Sequence, residues 1–538
     1  MKKVLFHTRC FLSICYLVSA CFGLFNIHVI SSSIESFRRV QQITPVQKLQ
    51  IFAPAGIDFG LRQMGVEIIK PLVGEVDRSV LNKPGMELLP SIISAAITAR
   101  FMVGEGKDVA DVKAVFTKVK GDIDYSAVRA AQNQLIEICK TYGLIIVLEG
   151  EEGPGRDQSA GAEPGTIFTA KGMYLPSYYQ TEEFCRGEGE RFIPRNIKEV
   201  LDLAEWGGIG LKRSEIKGVV FLKFDTVENT NATALGTEHG WSFVSVRMFS
   251  FSDGVTPPDL LTVPAHYTPD GYIGGWTFTA PRTVKVRPYE LPSSAVPKIA
   301  EAYGETVEEY LSKTIFVVLD RSRHKTIIED LKNLGASYVL IKDGDMPMRV
   351  LSLLGDLSGK RIVVLGASGA CEFSAAMNAA IALRSQGAQF YSIQTTTNNT
   401  LLKDVTEWGL SPSFTREELR EFEDLNIPRR FYEEGMSIDT MVISPHESRL
   451  VFLVPITGAP KELFGNIANL FPEIKIVPEG DGAIIEVPVL VVMDEGGKGE
   501  GKVFVLRTSY STDNLERTKI LMLYIDKAGL PILDEPPR

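Results

Sequence analysis

From residue 314 onward the chain alternates between short apolar runs and longer stretches with helical spacing. TIFVVLD, SYVLIKDGD and RIVVLGASG are apolar runs of strand length bounded by charge or glycine, whereas RHKTIIEDLKNLG, MPMRVLSLLGDL and CEFSAAMNAAIALRSQG read as helices. In the first of these helices Ile327, Ile328, Leu331 and Leu334 make one apolar face, and Gly335 supplies the stop. This alternation predicts an α/β unit with neighbouring parallel strands, whose ligands gather at the carboxyl ends of the strands. DRSRH, DGD and GASGACE stand at those ends.

Before residue 210 the pattern is harder to read. Residues 126–142 suit a helix ending at Gly143, GLIIVLEGEE reads as a strand running into acids, and GPGRDQSAGAEPGT (153–166) reads as a loop. Asn196 and Glu199 form a capping-box start for a helix reaching Trp206. Further on, the greasy run Val219-Val220-Phe221-Leu222 predicts a buried strand that delivers KFDTVENTNATALG (223–236), with Asp225 at the strand end and Glu228 three residues later.

At 538 residues the chain exceeds a single compact core, so two or three domains are expected. Apolar residues at 44% and charged residues at 23% suit a soluble globular enzyme and exclude a disordered chain. The net charge of −10 argues against general affinity for nucleic acid or anionic membrane. Lys2 and Lys3, the uncharged stretch from Cys10 to Phe25 and the small residues Val18-Ser19-Ala20 read as a secretory signal over 1–25. A signal anchor is the rival reading, opposed by a length short of the roughly 20 residues that a span needs. Residues 26–50 follow with few acids and several Ser, Lys and Arg, a transit-like composition that together with the signal gives a plastid address through the secretory route, with plain secretion as the alternative. Three cysteines lie in the leader, and Cys139, Cys185 and Cys371 are too scattered for a disulfide framework or a zinc site. Asn231 opens a glycosylation sequon just beyond the Asp225 stretch, and a glycan there would sit badly with an active site.

Hard divalent cations take oxygen ligands, commonly one or two carboxylates with waters and phosphate oxygens. Asp225 and Glu228 suit that chemistry, with the Thr226-Val227 backbone offering a carbonyl; the same spacing also fits a helix cap at Asp225 completed by Glu228. Glu372 follows a Gly366-Ala367-Ser368-Gly369 turn, where backbone N–H groups approach an anion, or simply sits well in a first helical turn. Asp343-Gly344-Asp345 reads either as two acids for sugar hydroxyls or as an ordinary turn. Arg321, Arg323 and His324 cluster after a strand and suit a second phosphate, or are solvated loop charges.

Taken together, these motifs resemble those of the class II fructose-1,6-bisphosphatases, including enzymes that also act on sedoheptulose bisphosphate, over residues 216–525. The family's DPIEGT looks like Asp225-Thr226-Val227-Glu228-Asn229-Thr230, its KPRH like Arg321-Ser322-Arg323-His324, its DGD is intact at 343–345, and its GIGGAPEG resembles GASGACEF. RLVFLVPITGAPKELF and VFVLRTSYSTDNLERTKILMLY are similar to its closing segments. The resemblance implies a layered α/β/α/β/α sugar-phosphatase fold of the Li⁺-sensitive superfamily with an enlarged N-terminal half, divided into 51–290 and 291–538. It implies hydrolysis of the 1-phosphate of fructose 1,6-bisphosphate or sedoheptulose 1,7-bisphosphate with Mn²⁺ or Mg²⁺, by two-metal activation of water. Asp225, Glu228 and Glu372 would hold one ion, and Glu228, Asn229, Thr230, Tyr267, Arg321, Ser322, Arg323, Asp343, Gly344, Asp345 and Gly369 would line the pocket. The second ion would come from an upstream GEGE motif and a Lys/Asp pair, for which Glu105 is taken first and Glu149 second, with Glu151, Lys83 and Glu87 also on offer. Asn229 stands where the family has glycine, Arg321 where it has lysine and Cys371 where it has proline. A catalytically degenerate binding or structural subunit is the alternative function. A small-molecule sugar bisphosphate, no nucleic acid, no membrane after leader removal and a homo-oligomer complete the expected partners.

Overall fold

A computed structural model describes residues 59–150, 165–174, 197–205, 210–251, 272–288, 290–355, 359–393, 436–437 and 447–523. The two leader segments, Tyr267 and Glu151 lie outside the described residues. In chain order the elements are β1 (Arg62–Val73), α1 (Leu89–Phe101), α2 (Lys113–Tyr142), β2 (Leu144–Gly150), β3 (Ile167–Thr169), β4 (Gly172–Tyr174) and α3 (Ile197–Glu205). They continue with β5 (Gly218–Glu228), α4 (Thr230–Leu235), β6 (Trp241–Ser250), β7 (Tyr272–Thr279), α5 (Pro292–Tyr303), α6 (Val307–Ser312), β8 (Thr314–Leu319) and α7 (Lys325–Asn333). Next come β9 (Tyr338–Ile341), α8 (Asp345–Ser352), β10 (Arg361–Gly369), α9 (Ala370–Ala382), β11 (Ala388–Ile393) and β12 (Met436–Ser437). The last are β13 (Glu447–Pro455), β14 (Lys475–Glu479), β15 (Gly482–Glu495), β16 (Lys502–Thr512) and α10 (Leu515–Leu523).

Among the described residues the strands form a ten-stranded sheet, β1-β16-β15-β13-β6-β5-β2-β3-β4 with β14 on β15, and a six-stranded sheet, β12-β11-β7-β10-β8-β9. The predicted parallel unit is present, because β8 pairs parallel with both β9 and β10. β7, however, runs antiparallel between β10 and β11, so the second sheet is mixed. The first sheet takes strands from before residue 251 and from after residue 446, and β7 comes to the second sheet from before residue 290.

Side-chain alternation on the strands sorts the apolar residues into layers. Ile92, Ile93 and Ile136 of α1 and α2 pack on Ile146, Leu222, Phe224 and Val244, covering one face of the first sheet. Met348 and Leu351 of α8 with Met377 and Ile381 of α9 fill the space between the sheets, against Phe243 and Leu453 on one side and Val317 and Val364 on the other. Val296, Ile299, Tyr310, Ile327 and Leu331 of α5, α6 and α7 close the outer face of the second sheet over Phe316, Val318 and Val363. The result is the α/β/α/β/α layering expected. Among the described residues no helix is long and apolar enough to cross a membrane.

Glycines end helices where the sequence placed stops: Gly143 (φ 67°) closes α2, and Gly335 (φ 67°) follows α7. Helix α2 begins at Lys113, well before residue 126; its first turns mix exposed Ala114, Val115, Thr117 and Lys118 with Gly121, which obscures the apolar stripe. The α5–α6 turn is fixed by Glu305, which accepts from both terminal nitrogens of Arg361 (2.6 and 2.9 Å) and from Lys313 Nζ (2.8 Å). Arg361 also lies over the Tyr303 ring, 3.8 Å from its centre. The Arg361 bonds hold the Glu305 carboxyl well below its ordinary 4.5, at about 2. A depressed acid stabilises the fold fully above its unfolded value and loses that contribution as pH falls toward the folded one. Glu305→Gln is therefore expected to lower the melting temperature near neutral pH, with the difference from wild type shrinking between pH 4.5 and about 2; a gap unchanged across a pH series of thermal melts would contradict this.

Candidate functional site

Strand β5 is buried along its whole length, between β2 on one side and β6 on the other. Its register with β6 shifts at the acidic motif: Asp225 pairs with Phe243 and Glu228 with Trp241, so Thr226 and Val227 together oppose Ser242. On a regular strand, residues three apart point to opposite faces; one extra residue in a bulge restores them to the same face. Phe243 and Trp241 both belong to the layer between the sheets, so Asp225 and Glu228 face that layer too. Val227 packs instead into the α1–α2 core. Both acids are buried, at 5% and 3% exposure.

The strand thus runs through Glu228, and the helix-cap alternative for Asp225 falls. Asp225 Oδ1 accepts from the Val227 N–H (2.9 Å) and Ser242 Oγ donates to the Thr226 carbonyl, which hold the bulge. The N-cap of α4 is Asn229, whose Oδ1 accepts from Ala232 N (3.2 Å) while its backbone takes the left-handed φ of 63°. That conformation suits glycine or asparagine above other residues. Asn229 Nδ2 then donates to the carbonyl of His239 (3.1 Å), itself left-handed at φ 86°. Trp241 Nε1 donates to His239 Nδ1 (3.2 Å), and the imidazole lies on Gly344. A Cβ built on Gly344 would come within 2.5 Å of His239 Nε2, and Gly344 has φ 81°. Gly344→Ala is expected to cost about 2 kcal/mol or more from left-handed strain alone, with the clash added; equal denaturation midpoints for the two proteins would contradict the contact.

The DGD acids separate. Asp345 begins α8 rather than ending a turn, is buried, and receives Arg349 Nε at 2.8 Å. Arg349 in turn donates to Thr277 Oγ1 (3.2 Å) and the Gly366 carbonyl (3.3 Å), tying α8 to β7 and β10. Asp343 is half-buried and faces Arg321, at 3.9 Å. Loss of water raises the Asp343 carboxyl above its ordinary range; Arg321 and Lys120 oppose that, and Asp345 reinforces it. His324 is buried, with Nδ1 2.8 Å from the Leu319 carbonyl and its ring against Gly366; Ser322 is exposed and Arg323 half-buried.

Residues not singled out in the sequence complete the surroundings. Thr230 Oγ1 lies 3.0 Å from Asp124 Oδ1 and 3.1 Å from the Val227 carbonyl. Asp124 and Lys120 sit one turn apart on α2, so the helix that meets Thr230 also brings a positive charge to Asp343. Their i, i+4 spacing was the available signal.

The upstream candidates land in different places. Glu105 is exposed, on a loop whose Gly104 and Gly106 donate to the carbonyls of Thr233 and Ala234 in α4. Burial, then Asp122, raises the Glu105 carboxyl. Glu149 ends β2, parallel to β5, and contacts Lys223 and Arg247 on the Asp225 face. Lys83 pairs with Glu495 at the opposite end of the sheet, and Glu87 accepts from Gly85 N. GASG is the end of β10 rather than a turn: Gly366 to Gly369 pair with β7, and α9 begins directly at Ala370. Glu372 is therefore in the first turn of α9, which packs on β5, β6 and β13; its side chain lies outside the described residues. Among the described residues no group of three or more His, Cys, Asp or Glu is placed to enclose an ion.

Residues 276–425 match a family model described as bacterial fructose-1,6-bisphosphatase, glpX-encoded. The chain is also similar to D-fructose 1,6-bisphosphatase class 2/sedoheptulose 1,7-bisphosphatase 1 of Acaryochloris marina, 22% identical over 355 residues, covering 65% of this chain and 80% of that one. The enzyme with the same class 2 description from Synechococcus sp. (strain JA-2-3B'a(2-13)) is 23% identical, covering 63% and 77%, and that of Microcystis aeruginosa 21%, covering 67% and 84%. The chain resembles the class II fructose-1,6-bisphosphatases as a divergent relative. Against the family motif, Asn229 replaces a glycine at a left-handed position, a substitution the backbone tolerates. Its side chain is taken up by the α4 cap and the His239 carbonyl.

Proposed function

We propose that the chain hydrolyses the 1-phosphate of a ketose bisphosphate, fructose 1,6-bisphosphate or sedoheptulose 1,7-bisphosphate, with the help of Mg²⁺ or Mn²⁺. The observation that carries this reading is the β5 bulge, which turns Asp225 and Glu228 toward the layer that α9 enters at Glu372. Two buried carboxylates suit a hard cation, and the family likeness gives Glu372 as the third ligand. A divalent ion held there would act as a Lewis acid on the phosphoryl group and lower the pKa of water toward roughly 7. Arg321 offers a guanidinium for the distal phosphate. Asp343 is the DGD acid open to a sugar hydroxyl, since Asp345 is held by Arg349 and acts by fixing the start of α8. Lys120, whose charge reaches Asp343, adds to the positive rim, and Thr230 with Asp124 fixes the turn beyond Glu228.

The degenerate alternative is favoured by one observation, the buried Lys223 and Arg247 that lie 3.9 and 3.6 Å from the Glu149 carboxylate. Phosphate release from fructose 1,6-bisphosphate with Mn²⁺ separates the two: turnover supports the hydrolase, whereas binding of the bisphosphate without phosphate release supports the binding subunit. We also propose delivery to a plastid through the secretory route and assembly as a homo-oligomer, on the composition of residues 1–50 and the family likeness respectively.

A further inference from the structure

The first sheet carries a buried ionic chain on the face it shares with Asp225. Glu149 Oε2 lies 3.9 Å from Lys223 Nζ, and its Oε1 lies 3.6 Å from Arg247 Nη1. Arg247 Nε donates to Glu447 (2.7 Å), which also pairs with Arg449 at 2.9 Å. Arg449 Nη1 donates to Asn378 Oδ1 of α9 (2.6 Å), and Asn378 Nδ2 to Ser245 Oγ of β6 (2.6 Å). None of these residues is more than 3% exposed, so water screens the charges little. Burial works to raise the Glu447 carboxyl, but Arg247 and Arg449 outweigh it and hold it below its ordinary range.

Lys223 is two residues before Asp225 on the same face of β5, and Glu149 ends the strand beside it. A cation coordinated by Glu149 would lie about 2.0–2.6 Å from its carboxylate oxygens, beside two fixed positive groups with no water into which to retreat. Like charges at such separation in a poorly screened interior oppose each other strongly. The carboxylate is therefore already neutralised by the chain. Glu105, the first of the upstream candidates, belongs to a loop that bonds to Thr233 and Ala234 in the last turn of α4.

We infer that Lys223 and Arg247 supply the positive charge at Glu149, so that Glu149 takes up no second divalent ion. This rests on the reading that Asp225 and Glu228 hold an ion, and the test keeps the two apart. Mn²⁺ bound per full-length chain is measured by equilibrium dialysis with elemental analysis, on wild type and on Lys223→Met, Glu149→Gln and Glu228→Gln, each checked for folding by thermal melt. The expected ratios are one for wild type and for Glu149→Gln, two for Lys223→Met, and none for Glu228→Gln. Two ions on wild type, or loss of the ion in Glu149→Gln, overturns the inference. A wild-type chain that binds none sinks the reading of Asp225 and Glu228 instead; the built-in charge is then judged by whether Lys223→Met gains an ion, and no gain overturns it too. Should Lys223→Met not fold, the wild-type and Glu149→Gln ratios decide.

Discussion

Glu228→Gln is expected to cut phosphate release from fructose 1,6-bisphosphate by about 10²-fold or more, the size of effect seen when a group that stabilises transition-state charge is removed. The substitution keeps volume and removes charge, so the buried end of β5 retains its shape. Steady-state rates in Mn²⁺, with melting temperatures measured beside them, check the outcome. A folded variant with wild-type turnover would remove Glu228 from the reaction, and with it the metal reading of the bulge.

Deletion of Val227 has a larger consequence for the fold. With Thr226 alone opposite Ser242, β5 and β6 pair without a bulge; Glu228, now two residues after Asp225, keeps the inter-sheet face, and Thr226 takes the place of Val227 toward the core under α1 and α2. A threonine hydroxyl left without a partner in that core costs about 1–3 kcal/mol, on top of the apolar contacts that Val227 gives up. The deletion is expected to lower the melting temperature further than Val227→Ala does, as thermal melts of the two proteins will show. The alanine variant keeps the bulge while losing only methyl groups, at about 0.8 kcal/mol per buried CH₂. Equal melting behaviour for the two proteins would show that the bulge and the residue that it directs into the core add nothing to stability beyond the lost methyl groups.

What the sequence revealed depends on how far each feature's causes extend along the chain. The helices and strands from 314 to 382 were legible because each has a local pattern of its own, as Ile327, Leu331 and Gly335 show in α7. The motif acids were legible as a set but not in their geometry. A spacing of three between Asp225 and Glu228 fits a helix cap as readily as a bulged strand, and only pairing with Trp241 and Phe243 decides between them. The GASG segment has turn composition, yet pairing with β7, itself rich in small residues at Gly274 and Gly275, draws it into the sheet. Glu105 and Glu149 each sit beside a glycine in the sequence; the parallel pairing of β2 with β5 brings Glu149 to the Asp225 face. His239 had no local signal, because its role comes from packing on Gly344, far away in the chain.

The order in which strands join the two sheets bears on how the molecule is made. β6 has no neighbour on one side until β13 is synthesised, and β1 waits for β16 at residues 502–512. During translation the amino-terminal strands therefore persist with open hydrogen-bonding edges, the condition that invites association between nascent chains. Truncation before residue 447 leaves β6 bare along that edge, and such fragments should require chaperone protection that the finished chain does not.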